Sequence, residues 1–355
     1  MIYPDFVRPL PLEDLDHILL HTERFWSAAR GTRIFISGGT GFFGAWLVES
    51  MAHCNRRLDL GLSATVLTRD PEAYLDRMPH LASEPSIRFH RGDIRDFTFP
   101  EEPFDFVVHA AAPTTGVKLA GQSDLLDTLL DGTKRMIELA KRRDAKRFLF
   151  VSSGAVYGPQ PKDMDHLAED YRGSPAWLDP VSAYAEGKRA SELMCALASG
   201  QTSIHFRIAR CFAFVGPHLP LDRHFAIGNF IRDAMAGADI SIRGDGTPLR
   251  SYLYGADLAI WLWTMILAEP PVADALPVVN IGSEEAVSIL DLAKEVAAVV
   301  NPNVRIEVAQ QLNRSVLPVR YVPDTQRAKA LFNLRPLISR REAIRRTAEW
   351  HRSSN

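Results

Sequence analysis

Arg33-Ile34-Phe35-Ile36-Ser37-Gly38-Gly39-Thr40-Gly41-Phe42-Phe43-Gly44 reads as a short apolar strand, a glycine-rich turn and the opening of a helix. Three glycines, each with its own task, mark such a turn as a pyrophosphate cradle. Gly38 supplies the tight bend, Gly41 offers bare backbone to the phosphates, and Gly44 lets the helix approach the strand. The helix N-terminus then presents unpaired N–H groups and a positive dipole end to the anion. A nucleotide is therefore expected at this turn.

Outward from this unit, β-branched runs alternate with helical stretches. Ala64–Thr68, Ile87–His90, Phe106–His109, Phe148–Ser152 and Ile204–Ile208 read as strands, while Leu125–Lys141 and Ala183–Ala198 carry helical periodicity. Such alternation predicts α/β architecture, a Rossmann-like doubly wound parallel sheet with a smaller C-terminal substrate-binding lobe. The expected division is a helical extension over 1–30 and a dinucleotide-binding domain over 31–215, with 278–300 packing back on it. The substrate-binding lobe is assigned to 216–277 and 305–355. In the extension, apolar residues at three- and four-residue spacing form one stripe, which docks either on the following domain or on a second subunit.

The 355 residues are ordinary in composition, with 46% hydrophobic and 24% charged residues. Lys plus Arg number 41 against 43 acidic residues, so no global charge draws the chain to nucleic acid or an anionic membrane. Cys54, Cys195 and Cys211 lie far apart without metal-ligand spacing, so neither a disulfide framework nor a metal site is expected. Met1–Arg8 lacks a basic-plus-apolar leader, and the apolar run Leu258–Ala268 is too short to span a bilayer. The expected location is the cytoplasm, and that run is expected to be a buried core helix.

The second strand ends in Thr68-Arg69-Asp70. NAD sites usually carry an acidic residue at that strand end for the ribose hydroxyls, whereas Arg69 suits the 2′-phosphate of NADP. Arg69 tilts the cofactor toward NADP, with Asp70 one residue away keeping NAD open. Asp93, after the third strand, is placed at the adenine amino group, or else serves as a simple turn residue.

Tyr184 and Lys188 stand four apart on a predicted helix and share a face. A free phenol titrates near 10, and a neighbouring ammonium lowers that value toward a usable proton-transfer range. Ser152-Ser153-Gly154-Ala155-Val156-Tyr157-Gly158 ends the preceding strand, where open α/β sheets put reactive groups. Ser153 is placed to orient a substrate hydroxyl or carbonyl beside Tyr184.

With these residues in place, the chain resembles the extended short-chain dehydrogenase/reductase family, in its nucleotide-sugar epimerase/dehydratase branch. The resemblance runs from about Arg33 to Trp350 and rests on GGTGFFG (38–44), HAAA (109–112), SSGAVYG (152–158) and YAEGK (184–188). RCFAFVGP (210–217), GNFI (228–231), GDGTPLRSYLYGADL (244–258) and NIGS (280–283) extend it. It implies Ser153, Tyr184 and Lys188 as catalytic residues, and Ser153, Asn229 and Arg250 as substrate-binding residues. It implies a cofactor site of Gly38, Gly41, Phe42, Phe43, Gly44, Arg69, Asp93, Ile94, Ala110 and Ala111, shared with Tyr184 and Lys188. The implied cofactor is NAD(P), with NADP slightly favoured and no metal. The implied partners are a nucleoside-diphosphate sugar and a second copy of the chain in a homodimer, with no nucleic acid or membrane.

Departures from the family pattern narrow the reaction. Dehydratases and decarboxylases of this branch carry an acidic residue just after the catalytic Ser/Thr, where this chain has Gly154 and Ala155. Ala213 and Leu129 stand where relatives often have Asn near the diphosphate and the nicotinamide. The leading expectation is hydride transfer at C4 by a sugar-nucleotide 4-epimerase. An NADPH-dependent 4-keto-sugar reductase is the alternative, with 4,6-dehydratase and decarboxylase further behind. A non-catalytic dinucleotide sensor is the reading from a different class.

Overall fold

The computed structural model describes residues 8–113, 121–223, 225–269, 276–311 and 317–352. Most of Met1–Arg8, read above for a leader, lies outside them.

Helix α1 (Leu12–Trp26) precedes strand β1 (Arg33–Ser37), which leads through the glycine turn into α2 (Phe42–Leu58). Then follow β2 (Ser63–Thr68), α3 (Pro71–Arg77), β3 (Ile87–Arg91), β4 (Phe106–His109), α4 (Gln122–Arg142), β5 (Arg147–Ser153), α5 (Ala183–Ser199) and β6 (His205–Cys211). The second half is more broken: β7 (Phe214–Val215), α6 (Ala226–Met235), β8 (Ile240–Ile242), β9 (Leu249–Arg250), β10 (Leu253–Tyr254) and α7 (Gly255–Leu267). It ends with β11 (Val278–Ile281), β12 (Val287–Ser288), α8 (Ile289–Val300), β13 (Ile306–Val308), β14 (Arg320–Tyr321), α9 (Gln326–Phe332) and α10 (Arg340–Arg352).

Seven strands form one parallel sheet in the order β11-β6-β5-β4-β1-β2-β3. The chain winds outward in both directions from β1 and β4, so the crevice of a doubly wound sheet falls at the C-terminal ends of these strands. Both faces are buried, as a parallel sheet requires. On β1, Phe35 joins the core beneath α4 and α5, while Ile34 and Ile36 join the opposite core beneath α2 and α7. Phe148 and Phe150 against Leu149 and Val151 repeat the alternation on β5.

The apolar stripe of α1 is resolved by packing against α2 and α7 of its own chain. Ile18 and Trp26 are fully buried, and the Trp26 ring lies 4.9 Å from that of Trp263. The run Leu258–Ala268 falls largely in α7, every residue of which is buried. This helix lies against α1, α2 and β5. A helix apolar on all sides needs cover on all sides. Conversely β11 completes the main sheet, but α8 beyond it packs on α6 and α10. Among the described residues no helix is long and apolar enough to cross a membrane.

Candidate active site

The glycine turn has the geometry a pyrophosphate cradle needs. Gly38 has φ +75°, and a Cβ there would meet the Ala110 carbonyl carbon and the Ala111 nitrogen at 2.5 Å. Ala110 and Ala111, at the end of β4, therefore press directly on the turn. At Gly44 a Cβ would strike the Gly38 and Gly39 backbone, so glycine alone permits this approach of helix to strand. Gly41 caps α2 without a side chain and is exposed, and a Cβ there would find only Gly38 O, at 3.6 Å. Space is thus left open where the helix N-terminus faces outward, and a dinucleotide's phosphates fit it. Phe42 and Phe43 flank the opening half-buried, with Phe43 edge-on to Phe214 at 4.9 Å.

Toward the adenosine end, Arg69 is exposed and its charge reaches Asp93. Asp70 is committed elsewhere: its carboxylate accepts the Ala73 N–H at 3.1 Å and caps α3, with Pro71 at the first helical position. The Asp93 carboxylate accepts from Arg95 Nε at 2.8 Å and from the Arg95 backbone N–H at 3.0 Å. Those contacts, the Arg95 side chain first, hold it below the ordinary carboxylate range. Ile94 packs instead on Gly132 of α4, where a Cβ would come within 2.9 Å of Ile94 Cγ1.

Ser153, Tyr184 and Lys188 converge at the C-terminal end of β5. Helix α5 runs beneath this strand and presents Tyr184 and Lys188 one turn apart. The Tyr184 phenol lies within hydrogen-bonding reach of the Ser153 hydroxyl. Lys188 Nζ donates to the Val151 carbonyl at 2.7 Å and lies 4.7 Å from the centre of the Phe150 ring. The simple sequence expectation, an ammonium lowering the phenol, is modified here. Burial pushes Tyr184 up to about 12 and pulls Lys188 down to about 8. A cationic ring stacked in this cleft would favour the phenolate by direct attraction.

Two networks behind the cleft were not anticipated. Glu192 accepts from Ser152 Oγ at 2.5 Å and takes a bidentate pair from Arg210, whose Nη2 lies at 2.7 Å. Glu192 follows Lys188 by four residues and Tyr184 by eight, a spacing that places all three on one face of α5. On the other side, His109 bridges Ser37 at 2.8 Å and Thr133 at 3.1 Å, tying β1, β4 and α4 together below the turn. Leu129, one of the departures, packs on Gly187 between the two α5 side chains.

On the substrate side, β9 pairs with both β12 and β14, and Arg250 stands opposite Tyr321. The Arg250 guanidinium donates to Leu249 O at 2.8 Å, and its charge reaches the Tyr321 phenol. Asn229, on α6, spends its amide on the Arg223 carbonyl at 2.8 Å and accepts from Arg232 at 3.1 Å. Arg250 thus borders the Ser153 cluster, while Asn229 is held by its own helix and the loop before it. Tyr321 is the residue that sequence reasoning missed. Among the described residues no group of His, Cys, Asp and Glu is arranged to hold a metal.

Comparison with known proteins gives a concordant picture. The model of the NAD-dependent epimerase/dehydratase family matches residues 34–282. UDP-glucuronic acid decarboxylase 5 of Arabidopsis thaliana is 29% identical over 318 residues, covering 88% of this chain and 87% of the relative. UDP-glucuronic acid decarboxylase 1 of the same plant is 30% identical over 316 residues, covering 88% and 68%. Among solved structures, UDP-glucose 4-epimerase from Thermotoga maritima with UDP-glucose superposes with TM-score 0.73 at 19% identity, over 91% of this chain and 99% of that one. UDP-glucuronic acid 4-epimerase from Bacillus cereus in complex with NAD gives 0.73 at 21%, over 90% and 96%. The structural likeness concerns the fold.

Proposed function

The chain belongs to the NAD-dependent epimerase/dehydratase family, and we propose on that footing that it inverts C4 of a nucleoside-diphosphate sugar. The observation that carries the reading is the meeting of Ser153, Tyr184 and Lys188 at the end of β5, beside the Gly38–Gly44 turn. A nicotinamide dinucleotide held by Gly38, Gly41, Gly44 and the first turn of α2, with its nicotinamide toward Lys188, would supply hydride acceptance and return at C4. Tyr184 takes the proton of the C4 hydroxyl and gives it back. Ser153 holds the same oxygen by a hydrogen bond. Arg250 pairs with the diphosphate through its forked donors. Asp70 is occupied as a helix cap and Arg69 is exposed, which supports NADP over NAD.

Decarboxylation is the second reading, favoured by the UDP-glucuronic acid decarboxylases among the relatives. Gly154 and Ala155 disfavour dehydration more strongly than decarboxylation. Dehydration must remove a proton from C5 and protonate a leaving hydroxyl, which needs positioned acid/base groups. A C5 carboxylate beside a C4 ketone is a β-keto acid and loses carbon dioxide with only an O–H donor on the ketone oxygen.

Incubation with UDP-glucose, UDP-N-acetylglucosamine and UDP-glucuronic acid, with product analysis by NMR and mass spectrometry, separates the outcomes. The expected product is the C4 epimer. A UDP-pentose with released carbon dioxide would replace epimerisation by decarboxylation. A 4-keto-6-deoxy sugar would refute both readings. A second copy of the chain is the proposed partner, supported by the exposed apolar side chains Trp177, Leu178 and Val181 before α5 and Leu193 and Leu197 on it. Light scattering at the mass of two chains tests it.

A further inference from the structure

Tyr321 lies on a strand of two residues more than 120 positions beyond helix α5, yet its side chain reaches Gly154 and Ser153. The ring lies 4.7 Å from that of Phe212, tilted by 33°. The hydroxyl fills the space beside Gly154: a Cβ built there would stand 2.7 Å from Tyr321 Oη and 2.8 Å from Phe212 Cζ. The vacancy left by a glycine in the strand-end motif is thus occupied by a phenol from β14. That phenol lies within hydrogen-bonding reach of Ser153, as does the Tyr184 phenol.

Hydrogen-bond arithmetic at Ser153 then leaves one lone pair and one proton for the two phenols. A serine hydroxyl has one proton to donate and two lone pairs to accept with. The Ala155 N–H takes one lone pair at 3.2 Å. We propose that Tyr321 is a positioning residue of the active site, whose O–H donates to the other lone pair of Ser153 Oγ and so turns the serine's proton onto Tyr184 Oη. The chain Tyr321 O–H to Ser153 O–H to Tyr184 is cooperative: each donor is strengthened by the one behind it, and the last favours the phenolate. Burial raises Tyr321 well above the ordinary phenol value, so it remains a donor throughout the working range. Arg250, opposite Tyr321 across β9 and β14, adds a positive charge on the same side. The groups around Tyr184 and Tyr321 are Ser153, Cys211 of β6 and each other, with Arg250 acting on Tyr321 and Cys211 linking them to Lys188, Glu192 and Cys195 of α5.

This inference rests on the reading of Tyr184 as the acid/base, and its test does not need turnover. Tyrosinate absorbance is titrated in NADP-loaded wild type and Tyr184→Phe, whose difference isolates Tyr184. The same pair is measured in the Tyr321→Phe background. The Tyr184 midpoint should rise by about half a pH unit or more when the Tyr321 hydroxyl is removed. An unchanged midpoint overturns the proposal. In a Ser153→Ala background, Tyr321→Phe should add nothing, and a full additional rise would overturn the route through Ser153. Tyr321→Phe keeps the ring on Phe212, and thermal unfolding checks that the fold is intact. Gly154→Ala supplies a second route: its methyl displaces the Tyr321 hydroxyl and should raise the midpoint in the same direction. Failure of every UDP-sugar to react would remove the C4 chemistry and leave this titration to be judged on its own.

Discussion

Alanine at Gly44 and alanine at Gly41 are the same chemical change, three residues apart in one turn, and should have opposite consequences. At Gly44 the added methyl carbon would sit well inside 3.0 Å of Gly38 O and of the Gly39 backbone. Both obstacles are main chain, tied into β1 and the turn, and neither can swing aside. Forcing a methylene into a packed site costs about 1–3 kcal/mol even where side chains yield, so about 3 kcal/mol or more is expected here. Unfolding entropy of about 2.1 cal/mol/K per residue gives this 355-residue chain about 0.75 kcal/mol per kelvin. Gly44→Ala should therefore lower Tm by roughly 4 °C or more. At Gly41 the backbone has φ −92°, ordinary for alanine, and the methyl would enter open space. Gly41→Ala should leave Tm within about 1 °C of wild type, since relief of unfolded-chain entropy is worth less than about 1 kcal/mol. Its cost should appear in cofactor affinity, because the methyl stands where phosphate oxygens must reach the first N–H groups of α2. A loss of about tenfold or more in NAD(P) Kd is expected by calorimetry. Unchanged Kd in Gly41→Ala, or unchanged Tm in Gly44→Ala, would refute the assignment of separate tasks to the two glycines.

Other consequences follow from the same geometry. Tyr184→Phe should reduce turnover by about 10²-fold or more while cofactor titration gives a near-native Kd, and turnover within a few-fold of wild type would remove Tyr184 from acid/base duty. Arg69→Ala should weaken NADP far more than NAD, whereas Asp70→Ala should cost about 1 kcal/mol in stability through the lost cap and leave both Kd values unchanged; a selective loss of NAD affinity in Asp70→Ala would restore that carboxylate to the ribose. At Glu49, burial works to raise the carboxyl, but the His218 imidazole hydrogen-bonded at 3.1 Å and the His80 imidazole 3.3 Å away outweigh it and hold it below its ordinary value. A lowered folded value means stability fully present above the ordinary carboxylate range and lost as pH falls through the lowered one. Glu49→Gln should flatten the acid limb of a Tm-against-pH curve, and an unaltered limb would count against Glu49 as its source.

The first half of the chain was legible because its signals are local. Arg33–Ser37 and Phe106–His109 appear as strands with the expected bounds, and helix α5 begins at Ala183 as periodicity predicts. Strand period, glycine spacing and the one-turn separation of Tyr184 from Lys188 are all set within a few residues. Asp70 shows a local signal left unused: aspartate followed by proline is a helix start, and its carboxylate caps α3. The second half was harder because its strands are two or three residues long and borrow partners from far away. β9 is ordered only by β12 and β14, more than 30 and 60 residues later, and such pairing leaves no period to detect. The α7 stretch misled for another reason. Its composition announced burial but not the partners, and the cover came from α1 and α2 rather than from its neighbours in sequence.

Tyr321 and Gly154 show why the strand-end motif cannot by itself specify the reaction. Taken as sequence, Gly154 and Ala155 are absences, two places where relatives could supply an acid and this chain does not. In three dimensions the first absence is a vacancy that another segment fills, and the exchange is mutually exclusive. A side chain at 154 would begin within 2.7 Å of the Tyr321 hydroxyl and 2.8 Å of the Phe212 ring, so the carboxylate and the phenol cannot both stand there. A side chain at 154 therefore has to push the Tyr321 hydroxyl and the Phe212 ring aside, and Tyr321 keeps this position only beside a glycine. The two positions are chemically one choice, made between a group that ionises near pH 4 and one that stays protonated. The first can abstract a proton from carbon; the second can only donate to oxygen. A phenol in that place gives the site an O–H donor beside Ser153, where Gly154 and Ala155 themselves bring no ionisable group.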